Sequence, residues 1–320
     1  MKKFYAAGCA VLFACTVSFA QEYPSKPVRV VVPYGAGSNG ENGLRLIAPE
    51  LEKRLGQRIV IEARPGGGGN VGAAAVASAT PDGYTLLLGA TNNFTINQHL
   101  YREIGFDPVR AFEPITVIFD IPFLMYSSTT VPARSLQEFT AFARANPDKL
   151  NYASSGAGTP PHLAGEMLSE LAGVRLTHVP YKSNAQSVAA LLAGDVHLFV
   201  GLISGAQQHV DAGKIRILST ATPRRISRHP DVPSASESGF PTLNISTWWA
   251  LAAPRGTPPA VVSKIFDGVQ ESLRESAVRE RYEQLGMVPI GNSPAEFAKQ
   301  IAAEADAWGR FIRSRNIRIE

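Results

Sequence analysis

The sequence predicts an α/β protein of two lobes, each built on a doubly wound sheet, with the chain crossing between them twice. Three observations carry this. Short β-branched runs alternate with longer amphipathic stretches in a first block, the same alternation returns in a second block, and two long extended apolar segments stand at the border between them.

In the first block, Pro27 to Val32 has the composition of a buried strand, and Leu44 to Leu55 carries Leu44, Ile47, Leu51 and Leu55 on one helical face. Arg58 to Ile61 is a second strand. Val71 to Ala79 is a small-residue helix closed by the turn Pro81-Asp82-Gly83, and Thr85 to Leu88 is a third strand. The long apolar stretch Ile115 to Met125 leads into the second block. There Ser135 to Asn146 is a helix with a capping box, Ser135 as cap and Glu138 three residues on. Leu150 to Ala153, Leu176 to Pro180, Val196 to Val200 and Ile215 to Thr220 read as strands. Pro161 to Ala172 and Ala185 to Ala193 read as helices. Thr247 to Ala253 is the second long extended stretch. The remainder, Pro258 to Ser276, Ala277 to Leu285 and Pro294 to Arg313, is helical. Two crossings make the first domain discontinuous: residues 21–119 and 247–320 form it, and residues 120–246 form the second. No solenoid-period repeat or low-complexity linker appears.

Residues 1–20 have the order of a secretory leader: Lys2 and Lys3, an uncharged apolar run from Phe4 to Phe19, and a small-x-small site at Ser18-Phe19-Ala20. The run is too short and too rich in Ala and Gly to span a bilayer well. The chain is therefore expected in the periplasm. Leu12-Phe13-Ala14-Cys15 resembles a lipoprotein processing site, which would instead place a lipid anchor on Cys15. Both cysteines, Cys9 and Cys15, fall in this leader, so the mature chain is expected to form no disulfide. Without Lys2 and Lys3 the formal charge falls from +4 to +2, and no basic run with interleaved aromatics marks a nucleic-acid surface.

Three loops carry the candidate chemistry. Pro33 to Gly43 follows the first strand, Arg64 to Gly72 the second, and Ser154 to Thr159 the first long-range strand of the second lobe. Each leads from a strand into a helix. Free N–H groups at a helix start favour an anion, and glycine lets the backbone approach one closely. A carboxylate can then be held without Arg or Lys. Gly67, Gly69 and Gly72 also satisfy G-x-G-x-x-G, but on the second strand–helix unit and without the acidic partner that a dinucleotide site needs. Nucleophile-elbow and H-E-x-x-H motifs are absent, and no base is placed for Ser154 or Ser155, so no catalysis, cofactor or metal is expected. The aromatics Phe94, Tyr181, Trp248 and Trp249 read as core as readily as site, whereas Tyr34 stands inside the first glycine loop.

In order along the chain, Tyr23-Pro24-Ser25-Lys26-Pro27-Val28, Arg64 to Gly72, Pro81-Asp82-Gly83-Tyr84-Thr85-Leu86, Phe106-Asp107-Pro108-Val109, Asn151 to Gly156, His162 to Glu166, His178 to Lys182 and Asp231-Val232-Pro233 resemble the substrate-binding proteins of tripartite tricarboxylate transporters, the TctC-like or Bug receptors. The resemblance covers essentially all of the mature chain. It implies a two-lobed periplasmic binding protein fold of type II whose lobes close on a small organic carboxylate. The partners it implies are the membrane transporter subunits or a sensor ectodomain, and the receptor is expected as a monomer. Uptake is the first function implied; ligand sensing, and then a periplasmic hydrolase of similar fold, are the alternatives. The binding residues expected are Tyr34, Gly37, Ser38, Asn39, Glu41, Asn70, Thr91 and Asn92 from the first lobe, with Ser154, Ser155, Gly156, Thr159, Tyr181 and Gly201 from the second.

Where the family has Pro-Pro-Gly-Gly-Gly-Thr-Asp, this chain has Gly35 to Glu41, so Glu41 replaces an Asp and Gly40 a Thr. Gly201-Leu202 replaces an Asp-Asn pair, and Phe94 stands where a polar residue is frequent. These departures predict a ligand with a bulkier or more apolar distal end, with room for it at Gly201.

Overall fold

A computed structural model describes residues 23–202 and 206–319. The leader, Cys15 included, lies outside the described residues. In chain order the elements are β1 (Val28–Val32), α1 (Asn39–Leu55), β2 (Ile59–Ala63), α2 (Asn70–Ala77), β3 (Thr85–Ala90), α3 (Asn97–Leu100) and β4 (Phe112–Pro122). Then come β5 (Leu124–Ser128), α4 (Leu136–Ala145), β6 (Asn151–Ser154), α5 (Pro160–Ala172), β7 (Thr177–Pro180), α6 (Asn184–Ala193), β8 (Leu198–Gly201), α7 (Gln207–Asp211) and β9 (Ile215–Thr220). The chain finishes with β10 (Ser246–Pro254), α8 (Pro259–Arg274), α9 (Ser276–Gln284), β11 (Val288–Pro289) and α10 (Pro294–Ser314).

Two sheets result, ordered β11-β4-β10-β3-β1-β2 and β7-β6-β8-β5-β9. Each holds a parallel triplet, β2-β1-β3 in lobe 1 and β7-β6-β8 in lobe 2, extended by antiparallel strands. The sheets are thus mixed, because the strands next to the triplets, β10 and β5, enter from the opposite lobe. The stretch expected to run unbroken from Ile115 to Met125 divides at Phe123, with β4 in one sheet and β5 in the other.

Helix α1 shows how the sequence sets the packing. Ser38 caps it by accepting from Glu41 N at 3.5 Å, and Leu44, Ile47, Leu51 and Leu55 are buried on one face. It begins five residues earlier than the apolar periodicity predicts, since Gly40 and Gly43 carry no hydrophobic signal. Both glycines are needed there. A Cβ on Gly40 would stand 2.1 Å from the Trp249 ring, and one on Gly43 2.2 Å from Phe119, so the helix lies close over β10 and β4. The capping box at Ser135 is half formed: Ser135 accepts from Glu138 N, but the Glu138 carboxylate reaches Arg134 N instead of the cap. A complete box stands at Ser293 and Glu296, where α10 begins.

Candidate functional site

A cavity of about 290 Å³ lies where the carboxyl ends of the two parallel triplets face each other. Tyr34 follows β1 and Asn92 follows β3. Opposite them, Ser155 follows β6, Asn184 follows β7 and Leu202 follows β8. Phe123, at the first crossing, and Thr247 and Trp249, on β10, close the side between lobes. None of the described lining residues carries a charge.

On the lobe 1 side one carbonyl organises the wall. Gly68 O accepts from Asn92 Nδ2 at 3.2 Å, Asn93 Nδ2 at 3.3 Å and Asn97 Nδ2 at 3.1 Å. Tyr34 Oη lies 3.0 Å from Asn92 Oδ1 and 3.1 Å from Asn93 Oδ1, and donates to one of them. Burial raises the Tyr34 pKa, which keeps the phenol protonated as a donor. The tight backbone that presents Gly68 O has positive φ from Gly66 to Gly69. A Cβ on Gly69 would stand 2.4 Å from Asn93 Nδ2. The second glycine loop therefore differs from expectation: it presents an acceptor, and the N–H groups of Gly69, Asn70 and Val71 are held by Gly66 O and Gly67 O. The first loop is closed in part in the same way. Gly37 N donates to Glu41 Oε2 at 2.8 Å, and Arg45 holds Glu41 Oε1.

On the lobe 2 side the loop before α5 is open. Ser154 Oγ accepts from Gly156 N at 3.1 Å, Thr159 Oγ1 donates to Gly156 O at 2.7 Å, and Gly158 N donates to His162 Nδ1 at 2.9 Å. These bonds fix the loop, with Gly156 at φ 131° and Gly158 at φ 72°. Ser155 and Ala157, both in the cavity wall, have N–H groups with no protein acceptor among the described residues. Two further helix starts reach the cavity, Asn39 at the first position of α1 and Asn184 at the first position of α6. The positive ends of three helices, each of ten residues or more, therefore face one small space.

Of the residues expected from sequence, the structure brings Tyr34, Asn39, Asn92, Ser155 and Thr159 into the cavity wall. Gly37, Ser38 and Glu41 shape the loop behind it, and Gly156 holds the turn between Ser155 and Ala157. Asn70 is buried and accepts from Asn97 Nδ2 at 2.7 Å. Thr91 is also buried, and its hydroxyl accepts from Trp248 N at 2.9 Å, tying β10 to lobe 1. Ser154 is fully buried, and Tyr181 packs at the rim of the lobe 2 core rather than in the wall. Gly201 leaves no room for a ligand: a Cβ there would stand 2.1 Å from Phe199, so that ring fills the space. The apolar surface comes from Leu202 beside it. Phe94 is fully buried against Phe112, Trp248 and Phe297, in the core and away from the cavity.

Sequence reasoning passed over Asn97, Asn184, Leu202 as a wall residue, and Ile319. Asn184 follows a Ser183 cap at a strand–helix junction that has no glycine to mark it. Ile319 had no local signal, because its place depends on the C-terminal tail returning to Leu100, whose O accepts from Ile319 N at 3.1 Å.

The structure also supplies a base that the sequence did not place: His178 Nε2 is 2.6 Å from Ser154 Oγ. His178 stacks on His162 at 3.9 Å and on Tyr152 at 5.0 Å. Burial, and then the neighbouring His162, push the His178 pKa down to about 4. The imidazole is neutral at pH 7.

Two lobes joined by crossing strands, with an uncharged cavity between facing strand ends and helix starts, define a two-lobed periplasmic binding protein of type II. The sequence profile of the tripartite tricarboxylate transporter family receptors matches residues 44–317, and the chain belongs to that family of solute-binding proteins. A UPF0065 protein of Bordetella pertussis is 32% identical over 96% of this chain and 95% of its own length. A protein of R. palustris solved with adipate is 31% identical with a TM-score of 0.80, covering 93% of this chain and 100% of that one. MatC of Rhodopseudomonas palustris, solved with bound malate, is 32% identical with a TM-score of 0.75, over 91% of this chain and 100% of that one.

Proposed function

We propose that this chain is an exported periplasmic receptor, a monomer without catalytic activity, that captures a small organic carboxylate between its lobes and delivers it to membrane transporter subunits. The observation that carries this reading is the loop before α5, where among the described residues no acceptor meets the Ser155 and Ala157 N–H groups and no charged side chain lines the cavity. Dipoles fixed by the fold stabilise an anion there without the desolvation that a buried arginine would require. Adipate and malate in the two R. palustris neighbours support a carboxylate as the ligand class.

The rest of the wall favours an apolar or aromatic distal end. Phe123, Leu202, Ile121 and Trp249 are apolar or aromatic, and a second carboxylate beside them would lose its hydration with no cation to meet it. The Ser154–His178 pair does not favour the hydrolase alternative. Ser154 is fully buried and outside the cavity wall, its oxygen is engaged by Gly156 N, and Glu166 is held by Tyr152 and Arg315.

A thermal-shift and calorimetric panel tests the reading. Carboxylic acids with apolar or aromatic bodies are expected to raise the Tm, while their methyl esters and amides are not. Equal stabilisation by acid and ester would contradict it.

A further inference from the structure

A second, larger cavity of about 770 Å³ lies between the end of α3 and the C-terminal tail. Arg102, Arg313 and Arg318 stand in its wall together with His99, and no acidic side chain does among the described residues. All three arginines are exposed, and none makes an ion pair or a side-chain hydrogen bond within the described residues. Two acidic groups nearby are engaged elsewhere: Asp306 by Arg310, and Glu166 by Arg315 across the lobes. Burial lowers the His99 pKa, and its Nε2 meets Ala305 O at 2.8 Å.

The helix dipole accounts for only part of this clustering. Arg313 lies in the last turn of α10, where a cation is favourable. Arg102 follows α3, and Arg318 lies on the tail beyond Asn316, whose positive φ of 51° ends α10 and turns the tail back. Three guanidinium groups around one cavity repel each other until an anion meets them.

We infer that this basic cavity docks an acidic segment of a protein partner, one carrying consecutive carboxylates, and that this is where the partner engages the receptor. The inference rests on the reading that the chain delivers its ligand to a membrane partner. Size and exposure select the occupant. The cavity is more than twice the volume of the ligand cavity, and solvated arginines hold a lone small ion weakly. Consecutive carboxylates can engage several guanidiniums at once, each with two parallel hydrogen bonds. Position gives docking a consequence. Tyr101 and Ile319 belong to the walls of both cavities. A Cβ on Gly68 would stand 2.4 Å from the Tyr101 hydroxyl, and one on Gly158 2.2 Å from Ile319 Cδ1. A segment seated among the arginines therefore presses on a partition that touches the second and third glycine loops.

The test is fluorescence anisotropy with a dye-labelled hexaglutamate peptide and the full exported chain. The triple variant Arg102→Gln, Arg313→Gln, Arg318→Gln is expected to weaken peptide binding at least about tenfold. A control on α8 and α9, Arg274→Gln with Arg279→Gln, should stay within about twofold. Should the triple variant lose its fold by circular dichroism, Arg318→Gln alone, on the exposed tail, is expected to weaken binding about threefold. Peptide affinity equal in wild type and in whichever of these variants is folded would overturn the inference. So would citrate displacing the peptide at an affinity equal to the peptide's own, since the cavity would then be a small-anion site. Carboxylate binding in the ligand cavity, measured in parallel, is expected unchanged in the triple variant. Its absence in wild type would sink the receptor reading while leaving the peptide result to stand or fall separately.

Discussion

On the lobe 1 side of the ligand cavity, three asparagine amides converge on the Gly68 carbonyl and the Tyr34 hydroxyl donates to one of them. On the lobe 2 side, Ser155 and Ala157 keep N–H groups that no atom of the described residues accepts. Both walls are built from loops that end a parallel strand and open a helix, and both are rich in glycine. They differ in what remains unsatisfied. Around Gly68, lobe 1 has turned three side-chain amides on one of its own carbonyls. Lobe 2 holds its loop rigid through Ser154, Thr159 and His162 and leaves donors for a ligand. A glycine-rich loop is therefore not an anion site by composition alone; what counts is whether its N–H groups are still free.

Substitutions can break this contrast. The largest effect on the protein itself is expected from Gly201→Asp. It would drive a carboxylate into the Phe199 ring at a cost of at least about 3 kcal/mol, from overpacking and an unpaired buried charge. That corresponds to a fall in Tm on the order of 5–10 °C in calorimetry. A soluble Gly201→Asp variant of wild-type Tm would show that the site does have room there. Next comes Gly156→Val in the open loop. A Cβ at Gly156 meets nothing closer than 3.6 Å, so the strain is in the backbone, at φ 131°. About 1–3 kcal/mol of strain is expected to appear as roughly 5- to 150-fold weaker carboxylate binding by calorimetry. Tyr34→Phe on the closed wall should be milder. Removing the hydroxyl leaves an amide oxygen unmet and costs about 1 kcal/mol of stability, read by urea denaturation, with affinity changed only a few-fold.

Acid is the gentlest probe, and it acts on lobe 2. The His178 pKa is depressed in the folded chain to about 4, so below the ordinary value near 6.5 the unfolded chain binds the extra proton. The stability due to neutral His178 is complete above that ordinary value and is lost as pH falls toward 4. A Tm and affinity that decline from pH 7 to pH 5, with a shallower decline in His178→Asn, are expected in a buffered thermal-shift series. A profile identical in the two proteins would remove His178 from the account.

Much of the fold was legible because its signals are local. β1, β3 and β9 are runs of Val, Leu and Ile, and the amphipathic stretches of α1, α4, α8 and α10 have a clear helical period. The crossings were legible as long apolar strands, but the break at Phe123 was not, since nothing in Ile115 to Met125 marks where one sheet gives way to the other. The site was legible as far as glycine marks a tight strand–helix turn. Which glycines serve a ligand was hidden, because it depends on partners distant in sequence. Gly40 and Gly201 departed from the family pattern, and Gly201 suggested open space. Each is instead filled by the chain's own aromatic ring, Trp249 at one and Phe199 at the other. The departures thus alter the cavity through the ring they admit: Trp249 lines it, and Phe199 does not. Phe94 likewise belongs to the aromatic cluster under α10.

The account turns on one loop holding the carboxylate by its backbone. A crystal structure with the tightest-binding carboxylate of the panel tests that directly. The account predicts carboxylate oxygens within about 3 Å of Ser155 N and Ala157 N, with no arginine or lysine in contact. A carboxylate seated on the Gly68 side, or paired with a guanidinium, would contradict it.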